Sequence, residues 1–495
     1  MIDCFLSMDF GTQGVRVSLI SKEGKLLASK SNTYITYYPK PGWAEQNPND
    51  WVNALKLSLK ELFVSYPNTK IHILSCSISA TSSTVLPINI NGEPLSNALL
   101  WMDCRATEES EIINSKNYEI VKYSGGEVST EWLIPKVMWF KKHRRTLFDN
   151  TFRFIEELDY INYILTGELV CSFCNATCKG NYVEDLGGWN DEYFNKIGFE
   201  DFREKINTNV VKVGGLVGYI KKDICKLFNI NYQIPVFQGC IDAYSGMIGL
   251  GVVTQNKLAT IMGTSFVELS LDKNNIFQKG LWGPYKNALI DGYSVYEGGQ
   301  VSAGSIAKWF KNLFNDNLIN FDILSSEARK SNIGSNGILV LDFFQGNRTP
   351  YKNTNVRGQI KNLSLNTSRG DIYRAILESV AFGLKNTISH MQNPNRYFSS
   401  FVASGGVTKD QLWMEIIADV CGIPISLVDS RTYSGLMGSA IISSVSLGVH
   451  SNYESASRKM IKEESIIEPN LENTEQYQSV FSKYLELCET ALKER

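Results

Sequence analysis

The sequence predicts an α/β protein built from two domains of related design with a cleft between them. In both halves of the chain, short β-rich segments turn back through glycine-containing loops and are followed by amphipathic helices. The 495 residues are enough for roughly two to four domains. Glycines 246, 249 and 251 cluster near the middle of the chain, so we expect an N-terminal domain over residues 1–247 and a C-terminal domain over residues 248–495.

The N-terminal elements follow from local patterns. Residues 2–8, 14–20 and 26–36 are apolar and β-rich, and Lys22–Lys25 has the composition of a hairpin turn, which predicts an antiparallel meander. The stretch "PNDWVNALKLSLKELFVSY" has helical spacing, with Asn47 or Asn49 as the candidate cap. The alternation in "KIHILSCSISA" then predicts a further strand.

The second half of the chain shows the same succession of predicted strands, glycine turns and helices. Two short strands are predicted on either side of Met262–Ser265, and "RGDIYRAILESVAFGLKNTISHM" has the spacing of an amphipathic helix. The stretch "FVASGGVTKDQLWMEIIADVCG" predicts a strand, a glycine elbow and a helix. We expect the Glu- and Lys-rich tail from Ser451 to form a solvated C-terminal helix.

The composition excludes several classes of protein. Hydrophobic residues make up 43% and charged residues 20%, as in a globular protein, and the formal net charge is −2. This charge argues against nucleic acid or an anionic membrane as the main partner. The N-terminus lacks the pattern of a signal peptide, and no run of about 18 apolar residues is present. We therefore expect a cytoplasmic protein with neither a nucleic-acid nor a membrane partner.

Ten cysteines in such a chain are expected to be reduced. Cys171, Cys174 and Cys178 lie close together in "CSFCNATC", where the CxxC spacing allows a zinc or redox site. However, no second CxxC completes a four-thiolate set, and the chain has only four histidines. We therefore interpret these three cysteines as small buried residues.

The stretch "MDFGTQGVRVSLIS" contains an elbow suited to phosphate. Its glycines expose backbone N–H groups around Gly11, Thr12 and Gln13, and Arg16 adds a positive charge. Asp9 can orient Mg²⁺ through water, because Mg²⁺ keeps most of its waters in proteins. Taken alone, the stretch is equally compatible with an ordinary β-hairpin and a capping aspartate.

Two further glycine turns lie in the second half. Gly263, Thr264 and Ser265 form a second candidate phosphate turn, although Gly-Thr-Ser is common in turns. Gly405 and Gly406 follow a predicted strand, where the absence of side chains would let a flat ring approach the backbone. A plain pair of loop glycines is the alternative.

Asp242 is the candidate general base. It stands among small and apolar residues in "QGCIDAYSGMIGLG", directly after the predicted strand "IPVFQG". It can equally be the N-cap of a helix, and the two roles are compatible because a cap lies at the positive end of the helix dipole. The chain contains no GxxxxGK[ST] and no HExxH motif, and it lacks the protein-kinase motif set, which excludes those site classes.

Four stretches in order resemble the FGGY carbohydrate kinases. They are "MDFGTQGVR", "GWAEQNPNDWV", "GNRTPYKNTNVRGQIKNLSLNT" with the following "YRAILESVAFGL", and "SGGVTKDQLWMEIIADVCGIPI". The resemblance covers nearly the whole chain and implies two actin/hexokinase-like (ribonuclease H-like) α/β domains with an interdomain cleft. It also implies ATP and Mg²⁺ as cofactors, a small sugar as substrate, and the homodimers common in the family.

Within the family the chain is most similar to the ribulokinases, through "ATSSTVLPININGEPL", "STEWLIPKVMWF", "CNATCKGNY" and "EGGQVSAG". This similarity implies a kinase that phosphorylates the terminal hydroxyl of a ketopentose, with either enantiomer of ribulose as the candidate. It implies Asp242 as the base and a sugar pocket that includes Ser82 or Ser83, Lys179, Asp242 and Glu297.

The resemblance assigns the nucleotide site as well. Backbone amides at Gly11–Gln13 and Gly263–Ser265 would hold the phosphates, while Arg16 and Mg²⁺ would offset their charge. Gly405 and Gly406 would let the adenine lie flat, and Asp410 would reach its amino group. The alternatives are an FGGY kinase for xylulose, erythritol or glycerol, or a non-catalytic sensor that binds ATP and sugar.

Overall fold

The computed structural model describes residues 1–116, 118–314, 318–393, 396–428 and 433–494. Its strands, in chain order, are β1 Ile2–Gly11, β2 Gly14–Ser21, β3 Leu26–Thr33, β4 Glu45–Gln46, β5 Ile71–Ala80, β6 Val85–Ile88, β7 Ala98–Leu99, β8 Arg153–Glu156, β9 Cys171–Ser172, β10 Val210–Val211, β11 Leu216–Tyr219, β12 Pro235–Phe237, β13 Lys257–Met262, β14 Phe266–Asp272, β15 Trp282–Lys286, β16 Ser294–Gln300, β17 Leu339–Leu341, β18 Gln359–Lys361, β19 Ser400–Ser404, β20 Ile425–Val428 and β21 Glu463–Ile467.

The α-helices, in the same order, are α1 Pro48–Ser65, α2 Thr107–Ser115, α3 Leu133–His143, α4 Arg145–Asn150, α5 Glu157–Thr166, α6 Phe173–Lys179, α7 Asp191–Lys196, α8 Phe202–Lys205, α9 Lys222–Leu227, α10 Asp242–Gly249, α11 Gly304–Asn312, α12 Phe321–Ala328, α13 Arg369–Met391, α14 Gln411–Cys421, α15 Ser434–Ser446, α16 Tyr453–Met460 and α17 Leu471–Lys493.

Two large mixed sheets organise the chain. The first has the strand order β11-β12-β5-β1-β2-β3, and the second has the order β15-β16-β14-β13-β19-β20-β21. Each contains the same unit: a hairpin (β1–β2 or β13–β14) whose first strand pairs in parallel with a later strand (β5 or β19). The predicted two-domain α/β architecture is thus confirmed.

The helices of this framework form where the sequence predicted them. Helix α1 begins after Asn47, whose side chain accepts a hydrogen bond from Asn49 N–H, and it buries Trp51, Leu55 and Leu59 against the first sheet. Helix α13 begins with a capping box between Ser368 and Asp371 and is buried along most of its length. The apolar spacing was therefore sufficient to predict both helices.

A smaller four-stranded sheet, β4-β7-β6-β8, lies beside the first large sheet. The helices around it share an aromatic core, to which Trp132, Phe140, Phe154, Trp189 and Phe194 contribute. Aromatic side chains bury large apolar areas, so this core gives a rigid support to the loops that leave the sheet. Those loops carry the Ser82–Ser83 turn and Trp132.

The C-terminal tail differs from the expectation of a solvated helix. It forms α16, the edge strand β21 and α17, and α17 buries Tyr477, Tyr484 and Leu487. The Tyr484 hydroxyl donates to buried Asp342 Oδ1 at 2.5 Å. The apolar residues of α17 form a narrow stripe among many charges, so the overall composition masked a helix that docks on the second domain.

Cys171, Cys174 and Cys178 are buried with free thiols. Burial raises the pKa of the Cys171 and Cys178 thiols well above the usual value. Cys174 and Cys178 lie in the apolar cluster around α10, together with Cys240. They pack as small buried residues, as predicted.

Helices α10 and α15 join the two halves of the molecule. They touch backbone to backbone: a Cβ on Gly249 would lie 1.9 Å from Ser434 O, and a Cβ on Gly438 would lie 1.8 Å from Ser245 O. The Ser245 hydroxyl donates to Gly435 O at 2.8 Å across the same contact. Although α15 belongs to the C-terminal half, it also packs on β1 and β5 of the first sheet.

No helix among the described residues has both the length and the apolar content needed to cross a membrane.

Replacing Gly438 by alanine should destabilise the fold. The new methyl group would collide with Ser245 O, and neither helix can retreat without opening the contact between the halves. We expect the free energy of unfolding to fall by about 3 kcal/mol, at the upper end for overpacking in a core. Urea denaturation measures this change.

Gly406→Ala is the matched control, because an added Cβ at Gly406 would meet nothing within 4 Å. It should leave the urea midpoint close to that of the wild type. Equal midpoints for the wild type and Gly438→Ala would show that the helices do not pack as closely as described.

Candidate active site

A cleft of about 1380 Å³ lies between the two halves. Most of the residues singled out in the sequence line it: Asp9, Thr12, Arg16, Ser82, Ser83, Lys179, Asp242, Ser265, Glu297, Gly405 and Gly406. Gly11, Gln13, Gly263 and Thr264 belong to the two turns at its edge and are not among its lining residues. Residues far apart in the sequence thus converge on one cavity.

Asp9 and Asp242 form the centre of this cleft. Asp9 lies near the end of the buried part of β1, and its Oδ1 accepts a hydrogen bond from Ser79 Oγ at 2.7 Å. Asp242 is the first residue of α10, and its Oδ1 accepts from Ala243 N–H at 2.7 Å. The predicted order of strand, aspartate and helix is present, and Asp242 is half-buried at the positive end of the helix. The N-cap expectation was wrong, because Ile241 is the N-cap and Asp242 is the first helical residue.

Electrostatics make Asp242 a suitable base. Burial, and then the nearby charge of Asp9, raise the pKa of Asp242 to about 7. Burial also raises the pKa of Asp9, while the Ser79 hydroxyl and Arg16 oppose that rise. A carboxylate with a pKa near 7 can accept a proton at neutral pH and hold it, which an ordinary exposed aspartate does poorly.

Arg16 faces Asp9 across the β1–β2 hairpin. Its Nη1 lies 3.6 Å from Asp9 Oδ2, and its guanidinium stacks 4.2 Å from the centre of the Tyr433 ring. The Arg16 guanidinium is therefore held at the cleft by Asp9 from the N-terminal half and by Tyr433 from the C-terminal half.

The first turn is braced from the N-terminal half. Gln46 Nε2 donates to Thr12 O at 2.8 Å, and Trp101 Nε1 donates to Thr12 Oγ1 at 2.9 Å. Gln46 is in turn held by Trp51 Nε1 at 2.8 Å. The side chain of Gln13 is exposed, so only its backbone N–H is in a position to act in the turn.

The second turn is braced by α11. Thr264 O accepts hydrogen bonds from the N–H groups of Ala303 and Ser305, both at 3.1 Å. Gly304 is required between them, because a Cβ there would lie 2.4 Å from Gly263 O. The turn is thereby fixed, and Ser265 points its half-buried side chain to the cleft.

The glycine elbow has the predicted open surface. Gly405 adopts φ +116°, and a Cβ at this position would lie 2.2 Å from Met262 O, so the elbow packs directly on β13. An added Cβ at Gly406 would meet nothing within 4 Å, which leaves room for a planar group.

The structure does not support the expected role of Asp410 in binding the amino group of the adenine. Its Oδ1 accepts from Trp413 N–H at 3.1 Å as the N-cap of α14, and its Oδ2 accepts from Ser325 Oγ at 2.6 Å. It is not among the cleft residues. Because both carboxylate oxygens are engaged in capping the helix, we do not assign Asp410 to the nucleotide.

Lys179 and Glu297 meet across the cleft. Lys179 Nζ lies 3.3 Å from Glu297 Oε2, and the Tyr244 hydroxyl donates to the same oxygen at 3.0 Å. Burial alone would raise the pKa of Glu297, but the charges of Lys179 and Arg348 lower it. Lys179 Nζ also lies over the faces of the Trp132 and Trp282 rings, and these rings shield the ion pair from water on that side.

The Ser82–Ser83 turn is held by two residues that sequence reasoning missed. Ser83 has φ +59°; its N–H donates to Glu156 Oε2 at 2.5 Å, and its carbonyl accepts from Lys136 Nζ at 2.7 Å. Lys136 is fully buried and also donates to Leu100 O at 2.6 Å. The left-handed backbone of Ser83 is thus clamped from both sides. A lysine within the apolar helix of "STEWLIPKVMWF" was the available signal.

Lys352 is another residue that the sequence did not single out. Its Nζ lies 3.0 Å from Glu127 Oε1 and 3.6 Å from the centre of the Trp282 ring. Because Glu127 and Lys352 come from opposite halves of the chain, this pair crosses one side of the cleft.

The donor set fits a hard divalent cation near Asp9. The Asp9 and Asp242 carboxylates face one cleft, burial raises both pKa values, and the charge of Asp9 adds to the rise for Asp242. Mg²⁺ in proteins keeps several of its waters and is bound through one or two carboxylates.

Comparison with known proteins identifies the family. Residues 4–249 match the model of the "FGGY family of carbohydrate kinases, N-terminal domain", and residues 258–447 match that of its C-terminal domain.

Individual relatives differ in the substrate that they are named for. Ribulokinase 2 of Staphylococcus saprophyticus is 29% identical, with 97% of this chain and 96% of the relative covered. A xylulose kinase of Staphylococcus epidermidis is 26% identical, with 97% and 95% covered. The crystal structure of gluconate kinase from Lactobacillus acidophilus superimposes with a TM-score of 0.92 at 20% identity, covering 100% of this chain and 99% of that chain.

The raised pKa of Asp242 predicts a pH-dependent gain in stability for Asp242→Asn. Between about pH 4 and pH 7 the folded protein keeps the Asp242 proton while the unfolded chain releases it. Because proton release favours the unfolded chain, the free energy of unfolding of the wild type falls as the pH rises through this range. At pH 8 we expect the variant to be about 2 kcal/mol more stable, half of what a fully buried carboxyl with this pKa would give.

Urea denaturation at pH 8 and pH 4.5 measures the difference, which should nearly vanish at the lower pH. Asp223→Asn, at an exposed position, is the control and should show little gain at either pH. A gain of equal size at both pH values would contradict the raised pKa.

Proposed function

Since the chain belongs to the FGGY family of carbohydrate kinases, which are ATP-dependent, we propose that it phosphorylates the terminal hydroxyl of a ketopentose, with ribulose, D or L, as its substrate. One observation carries this proposal: Glu297, paired with Lys179, is hydrogen-bonded to Tyr244, two residues after Asp242 on the same helix. A polar pair able to bind sugar hydroxyls is therefore fixed relative to the base.

The substrate class is supported by four segments that resemble ribulokinases. Each contributes at least one lining residue to the same cleft: Ser82, Trp132, Lys179 and Glu297. The charged pair offers both a donor and an acceptor to hydroxyl groups, and the tryptophan rings offer apolar faces to the carbon skeleton. A xylulose kinase is among the relatives, so xylulose belongs in any substrate test.

Asp242 would act as the general base. As the terminal hydroxyl oxygen of the sugar forms its bond to the γ-phosphorus, its proton passes to the Asp242 carboxylate, and the bond from the γ-phosphorus to the bridging oxygen of ADP breaks. The pKa of about 7 suits this role, because the carboxylate is available at neutral pH and still basic enough to take the proton.

The two turns would hold the phosphates of ATP. The backbone amides of Gly11–Gln13 approach from the first sheet and those of Gly263–Ser265 from the second, each braced by the contacts described above. Arg16 would add positive charge where negative charge spreads during transfer. The open face of Gly405 and Gly406 would accept the adenine ring.

Asp9 would hold Mg²⁺ through water, and Mg²⁺ bound with ATP offsets the negative charge of the phosphates. Asp9 itself is kept in place by Ser79 and Arg16. Its second effect is independent of the ion: its charge helps to raise the pKa of Asp242.

An ADP-release assay against a sugar panel tests this function. The panel contains D-ribulose, L-ribulose, D-xylulose, L-xylulose, erythritol, glycerol and gluconate, beside a blank without sugar. We expect release well above the blank with ribulose. Asp242→Asn should lower kcat by at least about a hundredfold while ATP binding persists, since general-base catalysis contributes about 10²–10⁴-fold.

The exposed-site variant Asp223→Asn serves again as the control and should match the wild type. Turnover only with another compound of the panel would replace ribulose as the substrate. Release equal to the blank with every compound, together with intact ATP binding, would favour a sensor that binds ATP and sugar without transfer.

A further inference from the structure

Arg348 lies in a cleft-lining loop to which no role has been given. The loop is fixed to the end of β16: Thr349 N–H donates to Gly299 O, and Gly299 N–H donates to Thr349 Oγ1, both at 3.2 Å. The backbone of Arg348 is therefore anchored beside the strand that carries Glu297.

The side chain of Arg348 lies on the cleft face of the second sheet. A Cβ built on Gly299 would lie 3.3 Å from Arg348 Cδ and 3.4 Å from Nη1, so the arginine crosses directly over this glycine. Gly299 pairs with Val267, and Val267, Glu297 and Val301 all line the cleft. A side chain at position 299 would occupy the space that the arginine uses.

This position lies between two parts of the site. Along β16, Glu297 is two residues from Gly299 on one side. On the other side, Gln300 pairs with Phe266, which directly follows the Gly263–Ser265 turn. Gly299, over which the arginine lies, is thus placed along β16 between Glu297 and the residue that pairs beside the Gly263–Ser265 turn.

The guanidinium has charge but no bonding partner. Its charge lowers the pKa of Glu297 and opposes the burial-driven rise of the Glu268 pKa. Throughout the described part of the chain, however, no side chain or carbonyl forms a hydrogen bond or ion pair with it. Arg105 contrasts with it, since Asp103 and Glu45 both pair with that guanidinium. A half-buried guanidinium that lines a cleft and pairs with no described protein group has N–H donors available to a ligand.

We propose that Arg348 is a specificity-determining residue that donates hydrogen bonds to two adjacent oxygen atoms of the sugar, next to the Lys179–Glu297 pair. The inference rests on the proposed kinase function and deepens it by naming the substrate feature that is recognised. A planar fork of N–H groups matches two oxygens on neighbouring carbons. Sugars that lack one of these oxygens should bind weakly, because they leave part of the guanidinium unpaired.

Two substitutions of Arg348 and one control test the proposal. Arg348→Met removes the charge and the donors at similar length, and Arg348→Lys keeps the charge but loses the fork. Arg357→Met is the matched control, because Arg357 is exposed and lies in the same segment. Among the described residues, its side chain bonds only to nearby carbonyls, Thr354 O and Val356 O.

Sugar binding is measured without ATP by tryptophan fluorescence, using the sugar that the wild type phosphorylates best, since Trp132 and Trp282 line the cleft. Arg348→Met should raise the sugar Kd and KM about 10- to 100-fold, the worth of hydrogen bonds to a charged group. The KM for ATP should stay within about twofold of the wild type. Arg348→Lys should recover only part of the affinity, and Arg357→Met should bind like the wild type.

An unchanged sugar Kd in a folded Arg348→Met protein would overturn the proposal, and a loss confined to kcat would assign the arginine to the phosphoryl group instead. Circular dichroism and the urea midpoint establish that the variant is folded. If the wild type prefers gluconate and Arg348→Met weakens gluconate binding, the ketopentose assignment fails while the role of Arg348 stands. If the wild type phosphorylates ribulose and Arg348→Met leaves the Kd for ribulose unchanged, the role of Arg348 fails while the ketopentose assignment stands.

Discussion

The active-site geometry depends on one contact, the backbone-to-backbone packing of α10 against α15. Glycines at 249 and 438 allow it, because a Cβ at either position would lie within 2 Å of a carbonyl oxygen of the facing helix. Asp242 begins α10, and a Cβ on Gly435, in the first turn of α15, would lie 3.0 Å from Asp9 Oδ1. The contact therefore sets the position of Asp242, the proposed base, relative to Asp9. It also fixes the second sheet, which carries the Gly263–Ser265 turn and Glu297.

Two regions of opposite electrostatic character follow from this arrangement. At the centre lie a buried acid, Asp9, and a half-buried acid, Asp242, and the charge of Asp9 helps to raise the pKa of Asp242, at a cost in stability. At the proposed sugar end, the charges of Lys179 and Arg348 both act on the Glu297 carboxylate, so that part of the cleft is rich in donors. In the proposed complex, Mg²⁺ would complement the acidic centre and sugar oxygens would complement the donor-rich end. The stability lost by placing the two acids close together serves the proposed function and not the fold.

Much of the fold could be predicted because its signals are local. Stretches of about twenty residues are enough to recognise the glycine turns between β-rich segments and the apolar spacing of α1 and α13. The candidate site was predicted as far as motifs and resemblance extended, and the resemblance already grouped Lys179, Asp242 and Glu297 in one pocket. The structure adds the contacts within it, such as the ion pair of Lys179 with Glu297 and the hydrogen bond from Tyr244 to Glu297. Asp410 was assigned to the nucleotide because a capping aspartate and a ligand-binding one look alike in sequence. Lys136, Glu156 and Arg348 were missed because their roles depend on backbone groups or empty space far away in the chain. The boundary at residues 247–248 stays a prediction.

The pH dependence of kcat/KM for the sugar, at saturating Mg-ATP, tests the central claim most directly. If Asp242 is the base, kcat/KM should rise about tenfold per pH unit below pH 7 and level off above it, since only the ionised carboxylate accepts the proton. Asp242→Glu should shift the midpoint, which separates this titration from that of ATP itself. A profile that stays flat between pH 5.5 and 8.5, or a midpoint unmoved by Asp242→Glu, would show that another group accepts the proton.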